Sequence, residues 1–236
     1  MSDNDYHILP DNINNPDLSF KIIVIGDSSV GKSCLTLRGT KDKFKDFYTP
    51  TIGFEFLALN VRIKNKVIRL QIWDTCGQEI YRSLISSFYR NSSLAMIVYA
   101  IDNEESYNNL ESWLDEIKCQ THPNLKIFLI GNKIDLEENR VIEKEKAEKF
   151  YLDHQLDFFI ETSAKTGENA QKVFIKAAQI LYDEYIQSSE RDKSSDAGNK
   201  STNNISLKTS YSENEKENYD DEIKRKKGAI VEFIYK

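Results

Sequence analysis

Short apolar runs alternate with amphipathic stretches through the middle of the chain. Four runs are apolar enough to be buried strands, namely 20–25, 94–101, 126–130 and 158–160. Two further runs, 54–63 and 67–73, alternate between apolar and polar residues and are separated only by residues 64–66. That spacing predicts a β-hairpin at the edge of a sheet.

Between the later runs, apolar residues recur at helical spacing. One stripe consists of Leu110, Trp113, Leu114 and Ile117, and another of Ala170, Val173, Phe174, Ala177 and Leu181. Strands that alternate with helices predict an α/β fold, in which a mainly parallel sheet has helices on both faces. In such a sheet a ligand binds outside the carboxyl ends of the strands, where most polar motifs of this chain fall.

Both ends of the chain differ in composition from its middle. Residues 1–18 are rich in Asn, Asp and Pro without periodicity, which predicts a flexible leader. From 187 to 222 the chain is mostly Ser, Asn, Lys, Glu and Asp, so it cannot bury enough apolar surface to offset the entropy of ordering. We therefore predict one domain over residues 19–186 and a disordered C-terminal tail over residues 187–236.

Composition narrows the classes of function. The net charge is −6 and the pI is about 5.3, which argues against nucleic acid as a partner. The three cysteines, Cys34, Cys76 and Cys119, have neither metal-ligand spacing nor the even number that disulfides need. They predict reduced thiols in an intracellular protein.

The segment 26–33, Gly-Asp-Ser-Ser-Val-Gly-Lys-Ser, directly follows the first predicted strand. It fits the phosphate-binding pattern in which backbone N–H groups and a helix N-terminus face an anion. Lys32 would place its charge between the outer phosphates, and Ser33 would offer a hydroxyl to Mg²⁺. The segment therefore predicts a site for a nucleoside polyphosphate.

Asp74, Gly77 and Gln78 follow the third predicted strand on the same side of the sheet. The carboxylate can hold Mg²⁺, the glycine lets a backbone N–H approach a terminal phosphate, and the amide can orient a water molecule. Thr51 is a candidate for a second hydroxyl ligand of the metal. Together these residues predict hydrolysis of the nucleotide in addition to its binding.

Asn132 and Asp135 follow the fifth predicted strand and indicate which base is bound. Guanine presents N1–H and N2–H₂ donors that one carboxylate accepts as a pair, whereas adenine lacks this pair. Lys133 would cover the base with its stem, and the loop of Ser163, Ala164 and Lys165 would complete the pocket. Phe44 is placed to stack on the other side of the base, or to act only as a packing residue.

These residues resemble the Ras-like small GTPases and, among them, the Rab family. The resemblance covers about residues 19–186 and is carried by residues 26–33, 51–56, 73–79, 132–135 and 161–165. Residues 69–73, 81–90 and 97–99 resemble the Rab family in particular. The resemblance implies a P-loop NTPase fold with a six-stranded, mixed but mainly parallel sheet, and a slow GTPase that acts as a molecular switch in vesicle traffic.

The resemblance also implies ligands and partners. The ligands are GTP or GDP and Mg²⁺; the partners are an exchange factor, a GTPase-activating protein and effectors that bind the switch loops. Gln78 is the implied catalytic residue, and Ser33, Thr51 and Asp74 are the implied metal ligands. The nucleotide-binding residues are Gly26, Asp27, Ser28, Ser29, Val30, Gly31, Lys32, Ser33, Cys34, Phe44, Tyr48, Thr51, Gly77, Asn132, Lys133, Asp135, Ser163, Ala164 and Lys165.

The chain departs from the family pattern at two informative places. Gly39 lies where an aromatic residue is common, which predicts looser packing near the switch loops. Rab proteins end in one or two prenylated cysteines, whereas the last cysteine here is Cys119. Since stable anchoring takes two lipid chains, membrane association stays open; we expect the cytosol, with the cytoplasmic face of endomembranes as the alternative.

Two other functions remain open at this point. The first is a soluble adaptor of the Ran type, which carries nucleotide without a lipid anchor; residues 69–73 and 161–165 favour Rab over it. The second is a metabolic P-loop kinase or ATPase, which would need an acceptor pocket or a lid that the sequence does not indicate.

Overall fold

The computed structural model describes residues 6–45, 51, 53–77 and 89–195 of the chain. The strands are β1 (Tyr6–Leu9), β2 (Leu18–Ile25), β3 (Phe54–Ile63), β4 (Lys66–Thr75), β5 (Leu94–Ala100), β6 (Lys126–Asn132) and β7 (Phe158–Glu161). The α-helices are α1 (Lys32–Lys41), α2 (Glu104–Asn108), α3 (Leu110–Gln120), α4 (Lys144–Asp153) and α5 (Ala170–Ser195), and a 3₁₀ helix spans Ile134–Asn139. Within these ranges, no helix combines the length and apolar character needed to cross a membrane.

The strands form one sheet in the order β1-β3-β4-β2-β5-β6-β7. β2 is parallel to β4 and β5, and β6 is parallel to β5 and β7. β3 is antiparallel to both of its neighbours, β1 and β4. The sheet is therefore mixed and mainly parallel, as predicted, and the carboxyl ends of five strands lie at one edge.

The predicted hairpin is confirmed by β3 and β4, which pair along their whole length. Its loop is the dipeptide Lys64-Asn65, and Lys64 takes a positive φ of 52°. The hairpin does not lie at the sheet edge, however, because β1 pairs with the outer side of β3. The seven strands described thus exceed the six implied by the resemblance.

Both faces of the sheet are buried. Ile22 of β2 belongs to a core cluster that includes Leu35 of α1 and Phe174 of α5. Its neighbour Ile23 faces the opposite side, since successive side chains of a strand alternate, and it is equally buried. Outside that cluster, α2 and α3 pack against β5 and α4 packs against β7. Helices therefore cover both faces, as predicted.

The prediction of a flexible leader over residues 1–18 is wrong for most of the described part. β1 pairs antiparallel with β3, and the segment behind it is held by side chains. The Asn60 amide donates to the Pro10 carbonyl at 2.8 Å, and the Asp17 carboxylate accepts the Val67 backbone N–H at 2.8 Å. Composition missed this order because it comes from pairing with a distant strand.

The predicted start of the disordered tail at residue 187 is also wrong. α5 continues through Ser195, so residues 187–195 are helical. The first part of the helix contains the buried residues Ala170 and Val173, and the helix continues beyond the last residue of its apolar stripe, Leu181. A helix that is anchored by tertiary packing can extend into polar sequence, since each added residue gains one hydrogen bond without a new nucleus. Residues 196–236 lie outside the described residues.

Gly39 allows α1 and α5 to approach each other closely. A Cβ atom at Gly39 would lie 2.2 Å from the ring of Phe174 and 2.8 Å from the Ala170 carbonyl oxygen. Phe174 is fully buried in this contact. The expectation of looser packing at Gly39 is therefore wrong, because an aromatic ring from the other helix occupies the space.

Candidate functional site

The loop between β2 and α1 closes around one lysine. Lys32 is 5% exposed, and its Nζ donates to the carbonyl oxygens of Gly26 at 2.8 Å and Asp27 at 2.7 Å. Burial lowers the pKa of Lys32 to about 8, although nearby carboxylates partly oppose this. The loop thus presents a buried cation, beside the N-terminus of α1, to an anion.

At two positions of this loop only glycine fits, because atoms of other strands lie very close to its backbone. Gly26 has a φ of +133°, and a Cβ there would lie 2.1 Å from the Val98 carbonyl oxygen. Gly31 has a φ of +91°, and a Cβ there would lie 2.5 Å from Nδ2 of Asn132. Any larger residue would be strained and would clash. Ser28 and Ser29 are exposed at the tip of the loop, while Val30 is buried.

Oxygen atoms from three separate segments meet next to the lysine. Ser33 Oγ lies 2.8 Å from Thr51 Oγ1 and donates to Asp74 Oδ2. Asp74 is fully buried, and its Oδ1 has no hydrogen-bond partner among the described residues. Burial raises the pKa of Asp74 to about 7, against the opposing effects of Ser33 and Lys32.

These three residues fit Mg²⁺, which prefers oxygen ligands from carboxylates and hydroxyl groups. The buried oxygen Oδ1 of Asp74, which has no hydrogen-bond partner among the described residues, fits a carboxylate ligand of a cation. The structure therefore brings together the three predicted metal ligands, Ser33, Thr51 and Asp74. Their role as ligands stays a prediction.

Gly77 lies directly against the loop of residues 26–31 between β2 and α1, which we call the phosphate loop. A Cβ atom there would lie 2.3 Å from the carbonyl carbon of Asp27 and 2.4 Å from the Ser28 nitrogen. Only glycine lets the chain that leaves β4 pass this close. The predicted catalytic residue Gln78 and the predicted nucleotide contact Tyr48 lie outside the described residues.

Asn132 connects the predicted phosphate-binding side of the site to the predicted base-binding side. It is 1% exposed at the end of β6. Its Nδ2 donates to the Val30 carbonyl at 2.9 Å, and its Oδ1 accepts from Thr162 Oγ1 at 3.1 Å and from the Ala164 N–H at 3.2 Å. The amide therefore tethers the phosphate loop to the loop after β7, a role that the sequence did not indicate.

Asp135 and Ser163 form the other predicted side of the base pocket. Ser163 Oγ donates to Asp135 Oδ1 at 2.5 Å and accepts the Thr166 N–H at 3.0 Å. Lys133 has a φ of 71° and forms an ion pair with Asp102 at 3.3 Å. The carboxylate of Asp135 is thus oriented by a fixed hydroxyl, and the chain turns sharply at Lys133 so that Asp135 can follow.

The remaining predicted residues lie around this pocket. Lys165 is exposed, and its carbonyl accepts from Arg38 of α1 at 3.2 Å. Phe44 and Cys34 are partly buried and pack against the core cluster, and burial raises the pKa of the Cys34 thiol. The structure thus shows packing by Phe44, while stacking on a base stays a prediction.

Sequence reasoning missed three contributors: Asp102, Thr162 and Arg38. Asp102 follows β5 at the same edge as the other motifs, so its position was a usable signal. The partner of each of the three lies at least 30 positions away in the chain, so no local pattern could reveal the pairing.

Comparison with known families agrees with this geometry. A family model described as Ras family matches residues 21–183, which is more than half of the 236-residue chain. The match begins in β2 and ends within α5, and it includes the phosphate loop, Asp74, Asn132 and Ser163.

Proposed function

The chain belongs to the Ras family of small GTPases. We propose that it is a Rab-type switch in intracellular vesicle traffic, since residues 69–73, 81–90 and 97–99 resemble the Rab family. Members of the Ras family generally bind GTP or GDP with Mg²⁺ and interact with exchange factors, activating proteins and effectors. The observation that carries the nucleotide switch is that the oxygen atoms of Ser33, Thr51 and Asp74 meet close to the buried Lys32.

The first step of the proposed mechanism is binding of the polyphosphate by the loop. Lys32 has three N–H donors, of which two contact the carbonyls of Gly26 and Asp27, so the third can donate to a phosphate oxygen, which is a stronger partner because it is charged. Ser33, Thr51 and Asp74 would hold Mg²⁺, which when bound offsets the negative charge of the phosphates. Asp135 would accept from the guanine edge.

The switch depends on two segments that reach the terminal phosphate. The hydroxyl of Thr51 already contacts Ser33 at 2.8 Å, and Gly77 lies against the Asp27 peptide. With GTP bound, the terminal phosphate would hold Thr51 and the N–H of Gly77 in place. Cleavage of that phosphate would release both segments, and partners would sense the difference.

An aromatic surface next to Thr51 supports partner binding by the switch. Phe56 of β3 is 42% exposed, and its ring meets the buried ring of Trp73 edge to face, with centroids 5.4 Å apart. A large exposed aromatic side chain on a rigid strand is a typical anchor for a protein partner. Its place on β3, the strand that follows Thr51, would couple partner binding to the bound nucleotide.

Hydrolysis is tested with Gln78→Leu. We expect the wild-type protein to convert GTP to GDP and phosphate at an intrinsic rate of order 10⁻⁴–10⁻³ s⁻¹, since the sequence pattern predicts no arginine that acts on the phosphates from within the chain. Leucine cannot orient the attacking water, so turnover should nearly vanish while nucleotide affinity is kept. Single-turnover phosphate release measures the rate. Equal rates for the variant and the wild-type protein would exclude the assigned role of Gln78.

The trafficking role is tested by cell fractionation. The Gln78→Leu variant stays in its GTP form, so a Rab-type protein should shift from cytosol toward membranes relative to the wild-type protein, because its membrane-bound partners recognise that form. Glu138→Gln, a change at an exposed residue of the 3₁₀ helix, is the control and should distribute like the wild-type protein. A purely cytosolic pool for all three proteins would favour the soluble adaptor instead.

A further inference from the structure

The side chain of Asp27 in the phosphate loop does not face the predicted phosphate contacts of the loop. Its Oδ2 accepts from Asn109 Nδ2 at 2.7 Å, and its Oδ1 accepts from Trp113 Nε1 at 2.7 Å. These donors are 82 and 86 positions further along the chain, at the start of α3. Both carboxylate oxygens of an acidic residue in the predicted anion-binding loop thus accept hydrogen bonds from the start of a helix that packs against β5.

The backbone of the same residue supports the predicted phosphate contacts. The Asp27 carbonyl accepts from Lys32 Nζ at 2.7 Å. Its carbonyl carbon is also the nearest atom to the space that a side chain at Gly77 would fill. One peptide unit therefore touches both the lysine that is expected to bind the outer phosphates and the glycine that is expected to bind the terminal one.

The two donors, Asn109 and Trp113, belong to a rigid base formed by α2, the start of α3 and β5. Trp113 is fully buried, and Asn109 forms the junction between α2 and α3 without using its side chain as a helix cap. α2 itself is fixed to β5, since Ser106 Oγ accepts the Ala100 N–H at 3.1 Å and donates to the Asn103 carbonyl at 2.8 Å. A contact from this base to the loop therefore restrains the loop.

We propose that Asp27 is a positioning residue for nucleotide retention, held by Asn109 and Trp113. The restraint keeps the Asp27 peptide in place for Lys32 and Gly77, and it directs the carboxylate away from the bound polyphosphate. An unheld carboxylate beside a polyphosphate would repel it. The start of α3 thereby sets how fast bound nucleotide leaves. This inference rests on the proposed GTPase function.

The test exchanges donor and acceptor between positions 27 and 109. Asn109→Asp places two carboxylates face to face, while aspartate is itself well tolerated at a helix N-terminus. In the double variant Asp27→Asn/Asn109→Asp, the new amide can donate to position 109 and still accept from Trp113. The full-length proteins are loaded with fluorescent GDP and Mg²⁺, and release is followed after addition of excess unlabelled GDP.

We expect Asn109→Asp to release GDP roughly tenfold faster than the wild-type protein, the effect of losing one charge-assisted hydrogen bond. The double variant should return to within about threefold of the wild-type rate, since the pair is restored with reversed polarity. Glu111→Gln removes a carboxylate from the exposed side of the same helical turn and should leave the rate unchanged. Thermal unfolding of each protein checks that it is folded.

Each outcome has a distinct meaning. Faster release by the single variant with recovery in the double variant supports the positioning role, because general damage to the fold would not be repaired by a second change. A wild-type rate for Asn109→Asp, or no recovery in a folded double variant, would overturn the inference while leaving the GTPase intact. Failure of the wild-type protein to retain GDP would overturn the proposed function and the inference with it.

Discussion

Replacing Asp135 with Asn is expected to weaken GTP binding by roughly a hundredfold or more and to make xanthosine triphosphate the better ligand. The carboxylate accepts two guanine donors, whereas an asparagine amide can accept only one and places its NH₂ group against the 2-amino group of guanine. Xanthine carries a carbonyl at that position, so the NH₂ group of Asn gains an acceptor. The structure supports this change of preference, because Ser163 Oγ donates to Asp135 Oδ1 at 2.5 Å and so fixes the orientation of the side chain.

The measurement is competition of unlabelled nucleoside triphosphates against a fluorescent guanine nucleotide. Glu138→Gln removes a carboxylate from the same 3₁₀ helix at an exposed position and serves as the matched control. It should bind like the wild-type protein. If Asp135→Asn kept the wild-type preference for GTP over xanthosine triphosphate, the assignment of the base pocket would be wrong.

The second large effect concerns Lys32→Met. At a GDP concentration of about 1,000 times its Kd, the wild-type protein should gain about 4.1 kcal/mol of stability from the ligand. Loss of the buried cation should weaken binding about a hundredfold, because the phosphates lose a charge-assisted partner in a water-poor loop. At the same GDP concentration the gain then falls to about 1.4 kcal/mol.

The nucleotide-free form should respond differently to this change. Burial lowers the pKa of Lys32 to about 8. The charged form of Lys32 is therefore less favourable in the folded, nucleotide-free protein than in the unfolded chain. Removing the charge should therefore cost the nucleotide-free protein little stability. Thermal unfolding with and without GDP and Mg²⁺ measures both quantities, and Lys172→Met on the exposed side of α5 is the control. Full ligand-induced stabilisation of Lys32→Met would exclude the phosphate role of Lys32.

Much of the fold could be predicted because it depends on local periodicity. The runs at 20–25 and 126–130 are short, apolar and bounded by polar loops, which is enough to identify buried strands. The sheet edge that carries the site follows from the same pattern, because parallel strands bring their carboxyl ends together. The true strand ends differ slightly: Asp74 is the last residue but one of β4 and does not follow that strand.

The errors of prediction have one physical origin. β1 has only four residues and is followed by polar sequence, which is too little to indicate a strand, and it forms because the outer side of β3 offers unpaired backbone groups. The end of α5 is helical because packing of its first half removes the cost of nucleation. Gly39 looks like a packing defect in sequence, and Phe174 from another helix fills the space. In each case the stabilising partner is remote in the chain.

The sequence alone predicted the chemistry of the site, since glycines, a lysine, hydroxyls and carboxylates at strand ends indicate a guanine nucleotide with its metal. Only the tertiary structure decided how these groups are held: Asn132 contacts Val30 across 102 positions, and Asp27 contacts Trp113 across 86. The reason is that residue type and spacing specify what a side chain can bind. The partner that orients it depends on which elements the fold places side by side.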